Sequence, residues 1–349
     1  MKTEIVKISA GDIDYSDKIT SAANVIRSGG LVVFPTETVY GLGADATNPI
    51  AAKRIFEAKG RPSDNPLIIH ISEPSEAEKY TFTNKIYYML AEKFMPGPIT
   101  VILKSKDTIP LETRGGLETV AVRCPENRIA RDFIKESGTP IAAPSANLSG
   151  TPSPTNAAHV IDDMMGRVDV ILDGGVSEFG LESTIVKIEE DGSLTLLRPG
   201  KITVEDLGEV CERVNIADSV TDKLRDGEVA LSPGMKYRHY APKAPLLLVD
   251  GDMDSISAYI KKDSFTHIAV IAYEDDLEFF NREIPYARYY SFGKKGDEEL
   301  QAHNLFKILR DADKENFEKI YAPLPKKSGV GLALYNRMIR AAAHKIVKL

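Results

Sequence analysis

Short β-branched runs recur through the first two hundred residues, each walled off by an amphipathic stretch or a Gly/Pro turn. Leu31-Val32-Val33-Phe34, Leu67-Ile68-Ile69-His70-Ile71, Thr100-Val101-Ile102-Leu103 and Val170-Ile171-Leu172 are too short for helices and fit buried strands. Between them, Ile19 to Ile26 has helical spacing and stops at Gly29-Gly30, a suitable helix end, and Ala51 to Ala58 reads as a second helix. Such alternation predicts a twisted mixed sheet with helices packed against it.

A second α/β stretch begins near Pro245. Leu246 to Val249, His267 to Ala272 and Lys319 to Ala322 are expected strands, and helices are expected over 256–261, 298–314 and 332–344. Strands alternating with helices predict a small parallel α/β unit. Between the two stretches, Leu231 to Pro242 holds two prolines and a glycine, which suit neither a helix interior nor a central strand. Five of its residues are aromatic or cationic, unusual for a plain tether. The expected organisation is therefore one α/β domain over 1–213, a linker over 214–244, and a second, parallel α/β domain over 245–349.

At 349 residues the chain can bury a large core without disulfides or structural metals. Its two cysteines, Cys124 and Cys211, form no CxxC pair, which argues against zinc ribbons and redox dithiols. The net charge of −7 counts against broad nonspecific binding to nucleic acid or to anionic membranes. No apolar run is long enough to span a bilayer and no signal-peptide core is visible, so a cytoplasmic setting is expected.

The familiar nucleotide and hydrolase signatures are missing: there is no GxxxxGK[ST], complete GxGxxG, HExxH or GxSxG. Three polar clusters remain. Phe34-Pro35-Thr36-Glu37-Thr38-Val39-Tyr40-Gly41 is either a capped strand junction or the wall of a polar pocket. Lys59-Gly60-Arg61-Pro62-Ser63-Asp64-Asn65 places cations after a helix, where they suit its C-terminus or an oligophosphate. Ala143-Pro144-Ser145-Ala146-Asn147 through Ser153 is either a loop or a site at a strand end.

Taken together, Lys59-x-Arg61 and Ser145-x-Asn147 match the KxR…SxN tetrad of the YrdC/TsaC family, the threonylcarbamoyl-AMP synthases. Pro35 to Leu42, Arg123 within Val120 to Pro125, and Ser183-Thr184-Ile185-Val186 are also similar to that family. Ser232 to Pro242 and Asn336 to His344 resemble its two-domain subfamily. The resemblance implies a YrdC-like twisted mixed sheet around a large concave cavity, plus a smaller Rossmann-like parallel domain. It implies synthesis of L-threonylcarbamoyladenylate from L-threonine, bicarbonate and ATP with release of diphosphate. A separate transferase complex would then use the product to modify adenosine 37 of ANN-decoding tRNAs.

By the same resemblance, Lys59 and Arg61 are the catalytic pair. With Asn65, Thr119, Ser145, Asn147, Ser153, Arg198 and Tyr237 they would hold ATP. Thr38, His70, Arg123, Ala143 and Ser183 would hold L-threonine, with Arg123 on its carboxylate. Mg²⁺ would ride on the phosphates, with no protein ligand assigned. The linker's own aromatics leave two readings: Tyr237 or Tyr240 covers the adenylate as a lid, or they pack between the domains as a tether. Direct tRNA binding is left open, and no membrane partner is expected. Hydrogenase-maturation carbamoyl transfer is disfavoured because two isolated cysteines cannot build that family's zinc fingers.

Overall fold

In a computed structural model, residues 1–222 and 239–349 are described. They divide into two compact units, one of residues 1–149 and 153–222, the other of 239–349 with 150–152.

The first unit is a twelve-stranded mixed sheet with helices. From edge to edge its strands are Glu4–Lys7, Val170–Asp173, Val32–Phe34, Gly41–Asp45, Ile141–Ala142, Ile68–His70, Thr119–Arg123, Ile99–Ser105, Thr184–Ile188, Leu194–Arg198 and Val214–Ile216, with Thr81–Phe82 paired to Ile99–Ser105. Each expected strand of the first stretch is present. Val32, Val33 and Phe34 are fully buried, as continuous apolar runs in a covered sheet must be.

Helix Tyr15–Arg27 begins four residues before the first apolar repeat. It buries Ile19, Ala22, Ala23 and Ile26, and Tyr15 hydrogen-bonds Asp132 on helix Arg128–Ser137 at 2.7 Å. The chain leaves it through Gly29, whose φ of 76° glycine adopts without strain. The 213 boundary falls short of the sheet: Val214–Ile216 pairs in parallel with Leu194–Arg198, and Val220 beyond it is buried. This edge strand, with one half-buried and two exposed residues, carries little apolar signal.

The second unit is a five-stranded sheet, wholly parallel, in the order Arg288–Ser291, Ile268–Ala272, Lys319–Pro323, Leu246–Asp250, Ile346–Lys348. Helices Met253–Lys261 and Leu277–Glu283 share a core with Leu247, Val249, Ile268, Val270 and Tyr321. Helix Glu298–Ala312 ends two residues before the expected Lys314. Helix Gly331–Ala341 stops short of His344, because Ala343 and His344 turn left-handed at φ 49° and 63°. Both outer strands and helix Leu277–Glu283 escape sequence reading, since their residues are mostly exposed or half-buried and so lack an apolar run.

Tyr237 and the rest of 223–238 lie outside the described residues. Tyr240 is buried, stacked on Phe306 at 5.2 Å with the Arg337 guanidinium 5.7 Å from its ring. Such ring and cation stacking explains an aromatic here as packing.

Candidate active site

Helix Pro49–Lys59 is framed by its caps. The Asn48 side chain accepts from the amides of Ile50 and Ala51, and Pro49 stands at the first turn. At the far end Gly60 is left-handed at φ 61°, Gly60 N–H donates to Glu57 O at 3.2 Å, and Arg61 N–H donates to Phe56 O at 2.9 Å. This Schellman closure fixes where Lys59 and Arg61 leave the helix.

Lys59 is 4% exposed. Its ammonium donates to Ser145 O, to Asn147 O at 2.7 Å and to Asn147 Oδ1 at 3.4 Å, while Ser149 N–H returns to Lys59 O at 2.9 Å. The Ser145 hydroxyl donates to Asn147 Oδ1 at 2.5 Å. Lys59, 86 residues and more from Ser145 and Asn147 in sequence, thus forms one knot with them in which a buried cation stands behind a half-buried hydroxyl and an amide.

Arg61 is buried, its guanidinium 5.8 Å from the Phe56 ring. Both polar atoms of the Asn65 side chain are buried without a hydrogen-bond partner among the described residues. Burying an amide unmatched costs about 1–3 kcal/mol, which a bound ligand would recover. Thr119 stands apart from the knot. It opens strand Thr119–Arg123, half-buried, at the end opposite Arg123.

The other end of that strand pair faces a tight turn. Thr36 Oγ1 sits 2.8 Å from Thr38 Oγ1 and accepts from the amides of Thr38 and Val39, a hydroxyl-closed turn with Thr38 fully buried. Main-chain bonds tie the turn to two loops: Tyr40 N–H to Pro154 O, Ala146 N–H to Tyr40 O, Phe179 N–H to Glu37 O and Gly180 N–H to Thr38 O, at 2.8–3.1 Å. Ala143 is buried and donates its N–H to Ile68 O at 2.9 Å.

Here Arg123 pairs with Glu37, Nη2 to Oε1, at 2.5 Å, with side chains 5% and 7% exposed. Glu37 Oε2, Arg123 Nε and His70 Nδ1 are buried without partners among the described residues. Burial, reinforced by Arg123, pushes the His70 imidazole down to about 3, so it is neutral near pH 7. Beside them, burial pushes the Cys124 thiol up to about 12, which leaves it protonated and unreactive.

Arg198 closes the arrangement. Its Nε donates to Ser183 O at 3.0 Å and its Nη2 to Ser183 Oγ at 3.1 Å, while Thr100 Oγ1 lies 2.7 Å from Ser183 Oγ. The Ser153 hydroxyl donates to Glu182. The Leu197-Arg198-Pro199-Gly200 segment approaches closely because Gly200 has no Cβ; one there would lie 2.5 Å from Thr184 N.

Two groups of expected residues are therefore assembled by direct contacts: Lys59 with Ser145 and Asn147, and Ser183 with Arg198. His70 and Arg123 share register. Glu37, Thr100 and Glu182 were not singled out from the sequence, although Glu37 lies inside the quoted Thr36–Gly41 cluster. Buried Lys59, Arg61, Arg123 and Arg198 outnumber buried Glu37 and Glu182, so these site residues carry net positive charge within an acidic chain.

A family profile described as "Telomere recombination", covering Sua5, YciO and YrdC, matches residues 24–200. The chain belongs to the Sua5/YciO/YrdC family. Residues 202–343 match the profile "Threonylcarbamoyl-AMP synthase, C-terminal domain". The chain is 43% identical over 354 residues to the threonylcarbamoyl-AMP synthase of Pyrococcus abyssi, covering 95% of this chain and 96% of that one. It is 42% identical over 335 residues to the Bacillus subtilis protein of the same name, covering 95% and 94%. The crystal structure of P. abyssi Sua5 complexed with L-threonine matches with a TM-score of 0.88 at 40% identity, covering 100% of both chains. The YrdC-like mixed sheet and the parallel C-terminal domain expected from sequence both agree with that likeness.

Proposed function

We propose that this chain is a threonylcarbamoyl-AMP synthase of the nucleotidyltransferase class, joining L-threonine, bicarbonate and ATP and releasing diphosphate. The observation that carries the reading is the Lys59–Ser145–Asn147 knot beside Arg61 and the unmatched Asn65 amide. A carbamate oxygen attacking the α-phosphorus of ATP brings one anion onto another. Catalysis is then chiefly neutralisation and alignment, which preset cations and dipoles supply.

In this reading Arg61 and Asn65 contact the nucleotide phosphates, and Lys59 contributes charge from behind while fixing Ser145 and Asn147. Arg198 and Ser153 complete the nucleotide side, with Thr119 at its margin. Thr38, His70, Arg123, Ala143 and Ser183 hold L-threonine. Among the described residues no group of three or more His, Cys, Asp or Glu could hold a metal, yet the hydroxyl and amide oxygens of Ser145 and Asn65 are hard donors suited to Mg²⁺. Phosphate-bound Mg²⁺ would supply further neutralisation of the triphosphate. No helix among the described residues is long and apolar enough to cross a membrane. A cytoplasmic setting, with product passed to the transferase complex that modifies adenosine 37 of tRNA, completes the proposal.

The test is incubation of the pure chain with ATP, Mg²⁺, L-threonine and labelled bicarbonate, following diphosphate and a labelled adenylate. Label incorporation that requires threonine and disappears in Arg61→Ala is expected. A folded, ATP-binding protein that forms no labelled adenylate would overturn the reading.

A further inference from the structure

The Arg123–Glu37 pair poses a physical question. A buried guanidinium and carboxylate at 2.5 Å neutralise each other through one contact, yet Arg123 Nε and Glu37 Oε2 are both left unmatched. Each unmatched buried atom costs free energy, and such a pair stabilises a fold less than apolar residues of similar volume would. What this pair presents is one spare donor beside one spare acceptor, opposite charges side by side. An α-amino acid zwitterion is its complement: the carboxylate meets the guanidinium and the ammonium meets the carboxylate.

We propose that Glu37 receives the α-ammonium of L-threonine, so that Glu37 and Arg123 together form a zwitterion receptor. The inference deepens the proposed threonine site and rests on it. Location supports the role. Glu37 adjoins Thr38 in the hydroxyl-closed turn, its carbonyl is held by Phe179 N–H at 2.8 Å, and Arg123 stands opposite His70 in the parallel strand pair. Among the charged groups assigned here to the threonine site, Glu37 is the sole carboxylate, facing Arg123, with His70 neutral beside them. Glu37 thereby selects for an amine on the substrate's α-carbon, a specificity role that orienting Arg123 would not give it.

The experiment measures equilibrium binding to the full chain of two probes, L-threonine and its amine-free counterpart 3-hydroxybutanoate. Both carry the carboxylate and the β-hydroxyl, so their affinity ratio isolates the amine. The wild-type chain is expected to prefer threonine by roughly 10- to 100-fold, the range of a charge-assisted hydrogen bond. Glu37→Gln is expected to bring that ratio to within about threefold of unity, and Glu37→Asp to retain most of it. If Glu37→Gln weakens both probes alike and keeps the ratio, Glu37 only orients Arg123 and the inference fails. Should Glu37→Gln not fold, the charge-keeping Glu37→Asp decides: an unfolded or ratio-less Asp variant counts against the role. A wild-type chain that binds no threonine defeats the threonine site itself, which is a separate failure.

Discussion

His70 and Arg123 stand directly opposite each other in the parallel strands Ile68–His70 and Thr119–Arg123, an imidazole beside a guanidinium, both 4% exposed. Burial first, and that cation second, hold the imidazole down to about 3. An unfolded chain takes up this proton near pH 6.5, whereas the folded chain does not. The neutral histidine is thus compatible with full stability above about pH 6.5, and stability is lost as pH falls from there toward 3. Thermal unfolding across this window is expected to show the decline, and His70→Asn is expected to flatten it by removing one titrating group.

Lys59 and Arg61 are predicted to fail differently. Lys59→Met strips a cation from Ser145 O and Asn147 O, so it is expected to cost roughly 1–3 kcal/mol of stability as well as adenylate formation. Arg61→Ala removes a buried guanidinium beside the Phe56 ring and is expected to abolish adenylate formation through lost phosphate contact. Parallel denaturant titrations and diphosphate-release assays separate stability from chemistry in each variant. A Lys59→Met chain as stable as the wild type would contradict the structural part assigned to Lys59.

Gly200→Ala puts a methyl 2.5 Å from Thr184 N, 2.7 Å from Thr184 Oγ1 and 2.9 Å from Glu182 O, all backbone or short, confined groups. The strand end must move, and Arg198 and Ser183 move with it. We expect a loss of roughly 1–3 kcal/mol and a raised KM for threonine. Denaturation and steady-state kinetics check both, and wild-type kinetics in a destabilised variant would uncouple this contact from the site.

Chelation by EDTA is expected to abolish product formation while leaving the melting temperature within about a degree, because the metal enters with ATP rather than with the fold. A large melting shift without nucleotide would reveal a resident metal.

Much of this was legible in sequence for identifiable reasons. The strands around Phe34, Ile69, Val101 and Ile171 are central, so apolar runs mark them. Helix Pro49–Lys59 shows in sequence only as Ala51 to Ala58, short of the Asn48 and Gly60 caps that bound it. Edge strands such as Val214–Ile216 and Ile346–Lys348 bury too little to leave a pattern. The Lys59, Ser145 and Asn147 positions came from family motifs, but their mutual bonding did not, since it joins segments 86 residues apart. Glu37 was hidden by its neighbours: in a Pro-Thr-Glu-Thr turn a carboxylate looks solvent-facing, and only burial against Arg123 shows otherwise. At the start of the last helix, the Gly331 N–H donates to the Glu298 carboxylate at 2.8 Å, so the helix meets its counter-charge within the chain.

The turn carrying Thr36, Glu37 and Thr38 is fastened to its neighbours by amide-to-carbonyl bonds, which nearly any residue can make. Its position is therefore held largely by the main chain, while Glu37 is answered by Arg123 on the strand beneath. A lineage that changes what this turn accepts keeps the anchorage of Tyr40, Ala146, Phe179 and Gly180 but must change Glu37 and Arg123 together, since either charge left alone is buried without its partner.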